Sequence, residues 1–420
     1  ERMVLAVPPE HLDELLALLP HPDVFDRIVA ENGGVIYEPA TKETRLTCTV
    51  RPPAKFVEEL KRRGVNRIAV GHVIVATWEP HEHTVLKVIH DLGLELQVLF
   101  NKGAVMVLPT GVNKATGLAA ALNELGLSAH NVVGIGDAEN DHTLLELCEC
   151  GVAVANALEV LKERADLVTR ENHGGGVREL VEHLLADDLA VVAPKLVRHH
   201  ILLGTSEGAE IGIDPYSPNI MVCGTSGSGK STLTAGLLER ISKRGYQFAI
   251  VDPESDYSSL DLAVCLGGAS RVPLVSEVID VLRDPSDNVV VNLLGVAVEH
   301  RPEFFGQVLP ALSDLRARTG RPHWLVIDEA HHLLPSSWAP ATETTLRPRG
   351  VLYVTVHPGS VAPPVLATIK TLIAVGDHPD ETVREFCQAA GIAAPPPAVD
   401  NAKLPAGHAL HWNVGAPAAM

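Results

Sequence analysis

Residues 224 to 232 read Gly224-Thr225-Ser226-Gly227-Ser228-Gly229-Lys230-Ser231-Thr232. Glycines at this spacing let backbone N–H groups wrap phosphates without Cβ clashes. Lys230 reaches the β- and γ-phosphates, and Ser231 offers its hydroxyl to Mg2+. The motif has this meaning only between a strand and a helix. Both are expected here: the apolar run Asn219–Cys223 precedes it and the helical period Leu233–Ile241 follows. The helix N-terminus adds partial positive charge where the anion sits. A second apolar run, Trp324–Ile327, ends in Asp328 and Glu329. There Asp328 would hold Mg2+ through water and Glu329 would polarise the attacking water; a solvated acid pair at a strand end is the plainer alternative. ATP and Mg2+ are thus the expected ligands, with Lys230 and Glu329 catalytic.

The first half offers a different set. Asp137 and Asp141 stand four apart in Gly136-Asp137-Ala138-Glu139-Asn140-Asp141, at a strand end and an early helix position. That spacing can turn two carboxylates toward one cation. Lys114 opens an amphipathic helix after Gly111, where it can neutralise a phosphate or an aspartyl charge.

These residues need α/β layers to hold them. Short β-branched runs alternate with helical periods in two stretches, so the fold class is α/β. We expect a first domain over 1–189, a linker over 190–200 with the basic cluster Lys195, Arg198, His199 and His200, and a second domain over 201–392. A Pro/Ala-rich tail, 393–420, with Pro395-Pro396-Pro397, reads as mostly irregular. Charged residues are 20% of the 420 and hydrophobic ones 46%, which excludes a mainly disordered chain. The longest apolar stretch, Val289–Val298, is broken by Asn292 and falls short of the ~20 residues of a membrane helix. The six cysteines lack paired zinc spacing, as expected of reduced thiols in a cytoplasmic protein. The formal charge is −18. Residues 1–190 hold 17 basic against 29 acidic groups, and residues 191–420 hold 17 against 23. Neither half has the basic footprint that binding a nucleic-acid backbone usually requires.

The strings Asn113-Lys114-Ala115-Thr116-Gly117-Leu118, Gly136-Asp137-Ala138-Glu139-Asn140-Asp141 and Val154-Ala155-Asn156-Ala157 resemble the haloacid dehalogenase (HAD) phosphatases of the Cof-like IIB group over about residues 1–186. The resemblance implies a Rossmann-like domain with a small α+β cap at about 39–108, reached through Glu31-Asn32-Gly33-Gly34. It also implies a phosphate-stabilising role for Lys114, a Mg2+ site at Asp137 and Asp141, and a loop-arranging role for Asn140. His72, Trp78, His81 and His83 are candidate cap contacts to a small phosphorylated metabolite. The family's Asp-x-Asp nucleophile motif and its following Thr or Ser motif are absent from Glu1–Glu31; Pro9–Leu19 reads as the helix after them. Both motifs are therefore expected before residue 1.

The second half resembles the HerA–FtsK branch of RecA-like P-loop NTPases. It shares the phosphate loop, the Asp328-Glu329 strand end, Asp252-Pro253 with following acids Glu254 and Asp256, and a polar residue, His357, after the strand Val351–Val356. That branch implies rings that move DNA or protein, with an arginine from a neighbouring subunit; Arg316, Arg318, Arg347 and Arg349 are candidates. Asp328-Glu329-Ala330-His331 also spells a helicase box, but no later Gln- and Arg-rich helicase motif follows.

The leading reading is an ATPase fused to a HAD phosphatase module that lacks its nucleophile. A nucleotide-regulated sugar-phosphate phosphatase, a DNA translocase and a non-enzymatic scaffold stand beside it. Carboxylate nucleophilic catalysis needs the absent Asp. The 420-residue chain is therefore expected to show no robust turnover of a generic aryl phosphate; turnover abolished by Asp137→Ala would refute this.

Overall fold

The computed structural model describes residues 2–7, 12–190, 192, 195–215, 219–338, 349–393 and 404–416. The chain forms two compact units, Glu1–Leu196 and Val197–Met420.

In the first unit, three parallel strands lie in the order Leu167–Val168, Cys150–Ala153, Val133–Gly136. A second sheet pairs Val4–Ala6 in parallel with Arg27–Ala30, followed antiparallel by Val35–Glu38 and Glu43–Leu46. Val133–Gly136 and Val4–Ala6 each end their sheet. The two sheets nevertheless share a core. Val4, Ala6 and Ile135 pack with Leu118 and Leu122 of the helix Lys114–Leu125 and Leu144 of the helix His142–Leu147. Helix Lys114–Leu125 starts with a reciprocal cap between Asn113 and Thr116 and stops at the left-handed Gly126.

The cap is a four-stranded antiparallel sheet, Ala69–Val70, Val75–Trp78, Ala104–Pro109, Leu96–Asn101, with helices Ala54–Arg62 and Glu82–Asp91. Its side chains alternate as a strand's must. Val75, Val105 and Val107 meet Phe56, Leu60, Val85 and Val88 of the helices, while Ile74, Ala76, Met106 and Leu108 form a second cluster. Glu31 ties this region to the core. Its buried carboxylate accepts N–H bonds from His72, Val73 and Ile74 at 2.8, 2.7 and 3.1 Å.

The second unit is an eight-stranded sheet in the order Val264–Gly267, Val289–Asn292, Phe248–Asp252, Trp324–Ile327, Val351–Thr355, Asn219–Cys223, Ile369–Val375, Ala409–Asn413. The first seven are parallel, and the last runs antiparallel to its neighbour. Helices cover both faces, which is why these strands read as continuous apolar runs. Ile220, Val222, Ile250 and Val326 meet Leu237, Leu238 and Ile241 of the helix Lys230–Lys243. Met221, Val251, Leu325 and Tyr353 face the other cluster, with Phe305, Leu312 and Leu315 of the helix Arg301–Thr319. The irregular tail expected over 393–420 needs correction. Residues 409–413 complete the sheet, with Leu410 and Trp412 turned into the core. Pro395-Pro396-Pro397 lies outside the described residues.

Gly33, at φ +106, shows how tightly the first unit's loops close. A Cβ there would stand 1.9 Å from the Asn113 carbonyl oxygen. Gly33→Ala is expected to destabilise this unit by more than about 2 kcal/mol. The measurement is the urea dependence of amide exchange in the helix Lys114–Leu125; an unchanged midpoint would refute the packing.

Candidate functional site

The phosphate loop leaves the buried strand Asn219–Cys223 at Gly224, where a Cβ would meet the Val375 carbonyl oxygen at 2.2 Å. The loop thus packs against the end of the next strand. Gly227 (φ +73) and Gly229 (φ +99) have open space around them, so glycine is needed there for backbone conformation. Thr225, Ser226, Gly227, Gly229 and Thr232 are exposed, whereas Lys230 is buried at the first helical position. Its ammonium donates to the Thr225 carbonyl at 3.1 Å. The Ser228 hydroxyl has no hydrogen-bond partner among the described residues.

Asp328 and Glu329 follow the strand Trp324–Ile327, one strand removed from the phosphate loop, with Val351–Thr355 between. The Asp328 backbone N–H bonds to Val251 O at 3.0 Å. Its carboxyl is buried, and Oδ2 has no hydrogen-bond partner among the described residues. Burial, with Glu329 and Asp252 nearby, pushes its pKa up to about 8. Burial and Glu254 raise Glu329 as well, while the Lys230 ammonium favours its charged form.

Acids after the neighbouring strand complete this cluster. Asp252 is fully buried, and its carboxylate accepts N–H bonds from Glu254, Ser255, Asp256 and Tyr257 at 3.2, 2.7, 3.2 and 2.9 Å. Burial still outweighs these bonds and raises its pKa. The turn so fixed presents Asp256, whose Oδ2 accepts from the Ser231 hydroxyl at 2.7 Å. The sequence reading left Asp256 out of the site; the Asp-Pro after the strand was its signal.

An orphaned, buried carboxylate oxygen on Asp328 and the hydroxyl of Ser231 are oxygen ligands that suit a hard divalent cation, and burial among other acids raises the Asp328 pKa. The residues present fit Mg2+ here.

The arginine candidates separate. Arg316 donates to the carbonyls of Pro322, Arg349, His323 and Gly350 at 2.6, 2.8, 3.0 and 3.3 Å. It is a structural clamp within its own chain, which corrects its candidacy as an arginine offered to a neighbour. Arg318 pairs with Asp314 at 2.5 Å on the helix surface, and Arg349 is exposed. Arg347 lies outside the described residues.

In the first unit Lys114, Asp137 and Asp141 do meet. Lys114 Nζ lies 2.5 Å from Asp141 Oδ1, both side chains buried. Asp141 Oδ2 accepts from the backbone N–H groups of Asp137 and Ala138 at 2.9 and 3.0 Å. Asn140 donates to Asn32 at 2.9 Å, joining this loop to the turn before the cap. Both carboxylates have partners in their own chain. Both Asp141 oxygens are engaged, and the Asp137 carboxylate pairs with Lys102 of the cap at 2.7 Å.

The cap residue at this site is thus Lys102, which the sequence reading missed. It stands in the Lys102-Gly103 hairpin turn, both residues at positive φ. A two-residue turn ending in glycine was the available signal. Among the expected contacts, His81 bonds to Asn66 at 3.0 Å, His83 is exposed beside Glu82, and His72 gives its backbone N–H to Glu31. Trp78 is half exposed next to the same turn.

Comparison with known proteins adds to this geometry. Residues 66–181 match the haloacid dehalogenase-like hydrolase family, and residues 215–352 match the AAA domain family. The phosphoglycolate phosphatase of Haloarcula marismortui is 36% identical over 165 residues, 37% of this chain and 71% of that protein. The phosphoglycolate phosphatase of Methanothermobacter thermautotrophicus is 32% identical over 164 residues, 38% and 72% of the two chains. The genome packaging NTPase B204 of Sulfolobus turreted icosahedral virus 2 aligns at 16% identity and a TM-score of 0.35, over 50% of this chain and 97% of that one.

The Asp328 environment has a pH signature. Its pKa is raised from the ordinary 3.8 to about 8 on folding, so it costs stability increasingly as pH rises between those values, and the cost then levels. In metal-free buffer, Asp328→Asn is expected to gain on the parent across that window, by on the order of 1–3 kcal/mol at its top. Urea midpoints read at each pH test this, and a difference independent of pH would show Asp328 ionised throughout.

Proposed function

The chain belongs to the haloacid dehalogenase-like hydrolases through its first unit and carries a P-loop domain of the AAA type in its second; from this premise we propose that the second unit binds and hydrolyses ATP with Mg2+. The observation that carries the proposal is the pairing of buried Lys230 under a glycine-lined loop with the Asp328–Glu329 carboxylates, close enough for the lysine to favour Glu329's charged form. In this reading the backbone of Gly224–Thr232 holds the phosphates and Lys230 neutralises the β- and γ-phosphates. Ser231 and Asp328 hold Mg2+, which supplies charge neutralisation at the phosphates. Glu329 orients a water and takes its proton as the water oxygen bonds to the γ-phosphorus. The β–γ bridging bond breaks, and its electron pair leaves on ADP.

For the first unit we propose a phosphate-recognition module for a small phosphorylated metabolite, built on Lys114, Asp137 and Asp141 under the Lys102 turn. The phosphoglycolate phosphatase relatives support that substrate class, and a nucleotide-regulated phosphatase is the corresponding second reading. No helix among the described residues is long and apolar enough to cross a membrane, and we place the protein in the cytoplasm. A ring that moves DNA remains the reading of the HerA–FtsK resemblance; the −18 charge ranks it below plain ATP hydrolysis.

Lys230→Ala is expected to remove ATP binding, and Glu329→Gln to keep binding while slowing turnover about 100-fold or more. Nucleotide titration and phosphate release check these outcomes, with and without DNA. Unchanged turnover in Lys230→Ala would sink the proposed site; salt-sensitive stimulation by DNA would promote the translocase.

A further inference from the structure

Glu329 sits at φ +41, in the left-handed region, ahead of the short helix Ala330–Leu333. A non-glycine residue stays there only when its surroundings hold it. One neighbour reaches its carboxylate from the next turn: His331 Nδ1 lies 3.3 Å from Glu329 Oε2, with both side chains 13% exposed. The same Nδ1 lies 3.1 Å from Thr355 Oγ1. Thr355 is fully buried at the end of the strand between the phosphate loop and the Asp328–Glu329 strand, and its hydroxyl oxygen also accepts the His357 N–H at 3.1 Å. The His331 ring is fixed in place, tilted on His332 with centroids 4.1 Å apart and edge-on to His357 at 5.5 Å.

The proton position follows from electrostatics. Nδ1 faces two oxygens, Thr355 Oγ1 and Glu329 Oε2, and a proton on it suits both better than a bare lone pair would. Burial, with His332, His357 and Lys230 nearby, lowers the His331 pKa to about 4, so at neutral pH that proton is the only one it carries.

We propose that His331 is a positioning residue for ATP hydrolysis: held through Nδ1 by Thr355 Oγ1, it stands 3.3 Å from Glu329 Oε2, a buried oxygen with no hydrogen-bond partner among the described residues, and a small turn of that carboxylate onto Nδ1–H aims it at the attacking water. The role rests on the assignment of Glu329 made above. It also joins the end of the intervening strand to the residue that takes the water's proton, a connection outside both the phosphate-loop and the Asp-Glu motifs.

The test is steady-state ATP turnover by the full chain. His331→Leu is expected to lower kcat about tenfold or more, with KM for ATP within about twofold of the parent. His331→Asn, whose amide N–H can stand in for Nδ1–H, is expected to recover most of that loss. In a Glu329→Gln background, His331→Leu should change turnover less than about twofold, because the group it aims is gone. Parental kcat in His331→Leu, alongside slow Glu329→Gln, overturns the His331 role and leaves the ATPase reading standing. Equal slowing by His331→Leu in both backgrounds, or an Asn variant as slow as Leu, also overturns it and reduces the ring to packing. A Glu329→Gln protein as fast as the parent removes the Glu329 assignment, and the His331 role falls with it.

Discussion

Charge balance around one buried lysine constrains the second unit. Glu329 feels Lys230 together with Glu254 and Asp256, and Asp328 feels Glu329, Asp252 and Asp256, acids brought there by two parallel strands that end side by side. Parallel strands send all their C-terminal ends to one edge, so acids that follow successive strands accumulate without being adjacent in sequence. Burial makes their mutual repulsion expensive. The fold relieves it in three ways: four backbone N–H groups on Asp252, a hydroxyl on Asp256, and a raised pKa on Asp328. What is left over is a surplus of buried negative charge beside the glycine loop. The remaining features of this unit, from the glycines of the loop to the packed histidines, arrange that imbalance.

The first unit handles charge in the opposite manner. Its lysine and aspartate are buried as a closed pair, and the backbone takes up the remaining carboxylate oxygen. Asp137 reaches outward, to an exposed lysine on the cap. Such an ion pair is weak, because both groups keep much of their hydration. An anionic ligand could therefore compete for Lys102 at little cost, which makes the cap turn the adjustable part of an otherwise saturated site.

Motifs contiguous in sequence were legible. The phosphate loop and the Asp328-Glu329 strand end each carry strand, turn and chemistry within about ten residues, and Lys114, Asp137 and Asp141 came with a family resemblance. Contacts made by tertiary approach were not legible. Asp256 on Ser231, Lys102 on Asp137 and His331 between Glu329 and Thr355 depend on which strand end lies beside which, and local periodicity does not report that. Arg316 shows the same limit: a helix-surface arginine in sequence becomes a four-carbonyl anchor only once two strand starts are known to flank it. The strand Ala409–Asn413 was hidden differently. Its alternation, with Leu410 and Trp412 inward, is present but short and embedded among prolines, alanines and glycines.

That arginine anchor has a mechanical meaning. Arg316 grips the segments leading into Trp324–Ile327 and Val351–Thr355, at their N-terminal ends. The opposite ends of those two strands carry Glu329 and Thr355, with His331 Nδ1 3.3 Å from the one and 3.1 Å from the other. Each strand is a stiff rod of roughly 13–17 Å. Arg316 thus ties the long helix Arg301–Thr319 to the starts of both strands at once through one guanidinium. The loss of that one side chain would free two strand starts together, although their far ends lie a full strand length away.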